Sequence, residues 1–141
     1  MSRTMRLCLR AGERVWINGA VVRAERKTTL EILNDAIFLL ESHVLQPDET
    51  TTPLRQLYFA VQTTFIDPAA AGEARALFER WLAAALRAFT SPEILDGLLA
   101  VREQMEAGRR LDAMKTLRAL FPAEDAILAA DAARTPRRSA A

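Results

Sequence analysis

The feature that most constrains this chain is a change in the spacing of its apolar residues near position 67. Before that point they alternate with polar residues at period two, between short turn signals. After it they recur at i, i+3, i+4 and i+7, as on the inner face of a helix. A chain with this pattern cannot be a uniform bundle or a uniform sheet. The expected architecture is α+β: a small antiparallel β-barrel-like sheet over 1–66, then a bundle of three to four helices over 67–130. A disordered tail is expected over 131–141.

In the first part, Met5, Leu7 and Leu9 alternate with Arg6, Cys8 and Arg10, giving a strand with one apolar and one basic face. Ala11-Gly12 reads as a turn, Arg14–Ile17 as a second strand and Ala20–Arg23 as a third. Asn18-Gly19 between them is the strongest hairpin signal, since a type I′ turn needs positive φ at both central residues. Thr28–Leu33 and Ala36–Glu41 read as a second hairpin around Asn34-Asp35. Pro47 and Pro53 bracket a polar loop, and Gln56–Gln62 alternates again as a last strand.

In the second part, Asp67-Pro68 and Ser91-Pro92 each read as an N-cap followed by proline at the first helical position. The stripes are Leu77, Phe78, Trp81, Leu82 and Ala85, then Ile94, Leu98, Val101 and Met105, then Leu111, Met114 and Leu117. Gly108 should end the second of these helices and Pro122 the third. Asp125–Ala130 would add a further turn or two.

Several chemistries are disfavoured. One histidine (His43) and one cysteine (Cys8) are too few for a zinc site of the usual kind or for a Ser-His-Asp or Cys-His group. Five glycines never cluster into a phosphate-cradling loop. The reading is therefore non-enzymatic, with no cofactor and no metal. A lone cysteine suits a reducing cytoplasm, and no apolar run is long enough for a bilayer, so no membrane association is expected.

The formal net charge is only +1, yet it is unevenly distributed. Residues 1–30 carry seven basic residues against Glu13 and Glu25, whereas 31–66 carry Arg55 alone against five acidic ones. Arginine can pair phosphate oxygens with its planar fork and also lie flat on a base. Candidate RNA contacts are thus Arg6 and Arg10 on the first strand, Arg14, and Arg23, Arg26 and Lys27 around the third strand's end. Tyr58, with Arg55 close by, is a stacking candidate if it faces outward. Burial of Tyr58 under the helices, its hydroxyl bonded, is the weightier alternative. Burial is also the better reading for Trp16, and a solvated loop position for His43. A solvated strand face accounts for the basic residues equally well.

Leu9–Val22 (LRAGERVWINGAVV), Leu45–Thr52 (LQPDETTT) and Leu57–Phe59 (LYF) in this order resemble the FlbT family of flagellum biosynthesis regulators, and the likeness continues through Ala113, Arg118 and Leu120. The resemblance implies a post-transcriptional regulator, expected to repress, that binds the 5′ untranslated leader of flagellin mRNA and controls its translation or decay. It also implies the small regulator FlaF as a companion. The alternative is an adaptor or export-chaperone-like module that binds FlaF or flagellin and acts on the mRNA indirectly. Ala11 stands where relatives mostly have proline, Ala24-Glu25 lacks their Asn-Gly, and Leu111 replaces a more usual aromatic. The opening strand–turn order is also loosely similar to the carbon storage regulator CsrA, an intertwined dimer. That analogy is architectural, carries no residue roles and is compatible with a homodimer.

Overall fold

The computed structural model describes residues 5–17, 20–34 and 38–134. Five short strands, β1 (Met5–Leu9), β2 (Arg14–Ile17), β3 (Ala20–Arg23), β4 (Thr28–Ile32) and β5 (Phe38–Leu40), precede four helices. These are α1 (Pro53–Ile66), α2 (Ala71–Ala88), α3 (Pro92–Glu106) and α4 (Arg110–Arg134). The α+β order is as expected, but the strands do not close into a barrel. β1 pairs with β4, and a separate sheet has the order β3-β2-β5, all antiparallel.

The first hairpin forms as expected, with Arg14 opposite Arg23 and Trp16 opposite Val21. Its Asn18-Gly19 turn lies outside the described residues. The second hairpin does not form, because β4 and β5 each take a partner from the earlier strands instead. The reason is burial on two faces. Leu7, Leu9, Val15 and Ala24 make one small core, with Leu30, Ile32, Phe38 and Leu40 against it. That core needs the β1–β4 pair stacked on the β3-β2-β5 sheet, an arrangement a local β4–β5 hairpin would not give. Trp16 and Leu39, on the sheet's other face, join the large helical core with Leu57, Tyr58 and Val61.

The turn after β1 is set by Gly12 at φ +82, with the Glu13 amide donating to the Arg10 carbonyl at 3.0 Å. Positive φ at the third position is that of a type II turn, which favours proline at the second. Ala11 occupies that second position, and its amide donates in no hydrogen bond among the described residues. Ala11→Pro should therefore raise the unfolding free energy by about 0.4–1 kcal/mol, chiefly by restricting the unfolded chain. A urea melt checks this, with an increased midpoint at unchanged slope as the expected result.

The strand expected at Gln56–Gln62 is part of α1. Leu54, Leu57, Tyr58, Val61 and Phe65 are all buried and fall on one helical stripe. Thr52 accepts from the Arg55 amide and Pro53 occupies the first turn, so the helix begins with the usual cap grammar. Alternation of Leu57, Phe59 and Val61 fits period two equally well, but only the helix buries Tyr58 beside Leu57. The spacing thus turns helical at Pro53 rather than near 67. Asp67-Pro68 opens a single 3-10 turn, Pro68–Ala70, that leads into α2, and Asp67 makes no side-chain cap.

Ser91 caps α3 through the Ile94 amide, and the stripe Ile94, Leu98, Val101, Met105 is fully buried. Gly108, at φ +76, ends α3: its amide bonds the Met105 carbonyl and the Arg109 amide the Gln104 carbonyl, the pattern of a Schellman stop. Pro122 does not end α4, which continues to Arg134 and so into the expected tail; residues 135–141 lie outside the described ones. Proline there removes the amide that would bond the Arg118 carbonyl. Beyond it, Glu124 and Asp125 engage the start of α1 and Ile127 packs on the core, which holds the helix through the break.

Candidate nucleic-acid interface

The turn after β1 and the loop before β4 are laced together. The Gly12 amide donates to the Ala24 carbonyl at 2.6 Å, and the Ala24 amide to the Glu13 carbonyl at 2.9 Å. The Glu13 carboxylate closes the turn by accepting from the Arg10 amide at 2.9 Å. Arg10 directly follows Leu9, whose cross-strand partner Thr28 directly follows Lys27. Arg23 and Arg26 flank the Ala24 junction. Arg10, Arg23, Arg26 and Lys27 thus sit at one end of the β layer, all exposed. None has a carboxylate within ion-pair distance among the described residues.

The other candidates do not share that standing. Arg6 lies on the outer face of the β1–β4 pair, directly opposite Glu31, with a loose 3.8 Å ion pair. Arg14 lies directly opposite Arg23, on the side of its sheet that Trp16 shares, and differs from the rim cations in having an acidic partner. It donates to Glu41 at 2.9 Å and its guanidinium lies 5.5 Å from the Trp16 ring centre. The same guanidinium holds the Glu41 carboxyl below the usual carboxylate range, by hydrogen bond first. The two sheets stay separate, so no closed barrel rim gathers these groups.

Tyr58 belongs to the core, and Arg55, partly exposed, is tied to α4 by acidic partners. Arg55 makes a two-pronged pair with Asp125, at 2.8 and 3.0 Å, and lies 3.6 Å from Glu124. The pair drives the Arg55 pKa up and the Asp125 pKa down, the hydrogen bond being the main cause on both sides. Tyr58 is 1% exposed. Its hydroxyl donates to the His43 carbonyl and accepts from Arg118 at 3.0 Å, and its ring meets Phe121 edge-on at 5.6 Å. Burial raises the phenol's pKa, with Arg118 acting the other way. A base cannot stack on this ring while the fold is intact, because the ring has no open face.

Trp16 packs under the helical half as expected. His43 is not a solvated loop residue. It ends the 3-10 turn Glu41–His43, is half-buried, and its pKa is pushed down by burial and then by the charge of Arg118. Arg118 is a residue that local charge counting does not single out. It sits on α4, far in sequence from the basic segment, and its one signal in the sequence is its place in the family resemblance. Exposed Cys8 has the Thr29 hydroxyl 3.9 Å from its sulfur. Among the described residues there is no group of three or more metal-ligating side chains, and no helix is long and apolar enough to cross a membrane.

A different surface lies among the helices. The start of α1, the end of α2 and the end of α4 leave a groove of about 940 Å³ lined mainly by Pro53, Trp81, Phe89, Ile127 and Leu128. Leu128 is 42% exposed there.

Comparison with known proteins places the chain. A family model described as "Flagellar protein FlbT" matches residues 5–128. A Brucella ovis protein called "Probable flagellum biosynthesis repressor protein FlbT" is 54% identical over 126 residues, covering 89% of this chain and 83% of its own length. A Brucella anthropi protein of the same description is 55% identical over 120 residues, covering 85% and 79%. No solved structure matches. The match runs through both β sheets and into the last turns of α4, so this chain belongs to the FlbT family.

Proposed function

We propose that this protein is a non-enzymatic repressor of flagellin synthesis that binds the 5′ untranslated leader of flagellin mRNA. The repressor role is the one carried in the descriptions of its relatives. Occupancy of a leader needs only groups that hold phosphates and bases, and it needs no catalysis. The observation that supports direct contact is the set of exposed cations Arg10, Arg23, Arg26 and Lys27 at one end of the β layer, whose side chains have no carboxylate within ion-pair distance among the described residues. Four arginine and lysine groups beside a hydrogen-bonded turn present charge without the cost of ordering a long loop.

A second reading is favoured by the apolar groove around Trp81, Phe89 and Leu128. On that reading the chain is an adaptor that binds FlaF or flagellin, and its effect on the mRNA is indirect. Anisotropy of a labelled flagellin leader at low salt separates the two. Direct binding predicts a saturable change that weakens steeply as salt rises. No change at low salt, with a stable complex formed with FlaF or flagellin, assigns the protein to the adaptor class.

A further inference from the structure

Arg118 is half-buried, and its guanidinium makes one hydrogen bond among the described residues, to the Tyr58 hydroxyl. A guanidinium carries five N–H donors in a fixed fork, so most of its capacity is unused. Its counterparts are settled differently: Arg14, Arg55, Arg75 and Arg109 each have a carboxylate, and Arg110 donates to the Thr64 carbonyl. A cation drawn partly out of water without an anion is unfavourable. The imidazole of His43, half-buried, feels the same charge. The two residues thus converge on the Tyr58 hydroxyl, His43 through its backbone carbonyl, and neither has an ion-pair partner among the described residues.

The backbone around them is fixed. The Tyr58 hydroxyl is held between the His43 carbonyl and Arg118, which ties the 3-10 turn to α1 and α4. Glu41 opens that same turn and is bonded by Arg14, whose cross-strand partner is Arg23. Arg23 and Arg14 thus lead from the end of the β layer to Glu41, at the start of the 3-10 turn that His43 closes.

We propose that Arg118 and His43 form a seat for one phosphate group, filled by a phosphodiester of the bound leader. Arg118 holds two oxygens with its free fork, and His43 donates to a third once its ring takes a proton. Tyr58 is a positioning residue that sets the guanidinium and touches no phosphate. This proposal rests on the RNA-binding reading for the source of the phosphate, but the seat itself does not.

His43 is the only histidine, so its ring resonances report on the seat without overlap. Inorganic phosphate titrated into the wild-type protein should shift them saturably and raise the ring's titration midpoint by about half a pH unit or more. Arg118→Gln should abolish that response, weaken leader binding on the order of tenfold and lower the salt slope by about 0.7. Because Arg118→Gln also loosens Tyr58, His43→Gln is the second variant: it removes the imidazole and leaves the backbone carbonyl that Tyr58 bonds. It should weaken leader binding several-fold at unchanged thermal midpoint. An unmoved His43 resonance in phosphate, with both variants binding the leader as the wild type does, overturns the seat while leaving the proposed function standing. A phosphate response in a protein that binds no leader confirms the seat and overturns RNA as its source.

Discussion

Glu124→Ala should lower the unfolding free energy by about 3 kcal/mol, with a fall in the thermal midpoint on the order of 10 °C. Glu124 is fully buried on α4, and its Oε2 accepts from the Leu54 amide at 2.8 Å, in the first turn of α1. That amide is one of the orphan donors every helix start leaves, and Thr52 satisfies only its neighbour on Arg55. The other carboxylate oxygen has no hydrogen bond; it lies 3.6 Å from Arg55, close enough for an ion pair only. Alanine would leave the Leu54 amide unpaired in the core, strip Arg55 of one of its two anions and open a void between helices. Glu124→Gln keeps an acceptor for Leu54 and should lose about half as much. A loss below about 1 kcal/mol for the alanine variant in a urea melt would mean that the carboxylate does not cap α1.

The second large effect is on binding. Changing Arg10, Arg23, Arg26 and Lys27 together to glutamine should weaken leader binding on the order of 100-fold or more at moderate salt. The slope of log affinity against log salt should fall by about 3, near 0.7 for each phosphate of a single strand that is no longer neutralised. Stability should hold within about 0.5 kcal/mol, because all four side chains are exposed and none makes an ion pair among the described residues. Arg6→Gln serves as the internal comparison. Arg6 lies on the outer face of β1, opposite Glu31, and should change the affinity little. A quadruple variant that binds with wild-type affinity and slope would remove the rim from the interface.

How much of the fold is legible in the sequence depends on how far apart the deciding residues lie. The positions of β1 to β4, the Ser91 cap and the Gly108 stop follow from neighbours a few residues away, and local patterns disclose them. Strand pairing does not follow, because β4 chooses β1 and β5 chooses β2 to close a small core, joining residues as far apart in the chain as Met5 and Ile32 or Val15 and Leu40. Residues 54–65 carry both periodicities, and the Thr52-Pro53 cap that decides between them reads equally as loop. Pro122 ends helices in isolation; here the bonds of Glu124 and Asp125 to α1, 70 residues back, keep α4 going. The same separation hides the fate of Arg55, an apparent free cation whose carboxylates come from that distant segment. A period-two reading turns Tyr58 outward, whereas the weightier expectation, burial under the helices with its hydroxyl bonded, is what the structure shows. Arg118 escapes notice because a balanced charge count over 67–141 says nothing of which cation lacks a partner.

Ultraviolet crosslinking of the wild-type protein to a flagellin leader, read out as modified peptides, tests the central claim most directly. Direct recognition predicts adducts concentrated in residues 10–27, with further adducts near His43 and Arg118. Adducts confined to the groove around Trp81, Phe89 and Leu128, or none at all at saturating RNA, would contradict it.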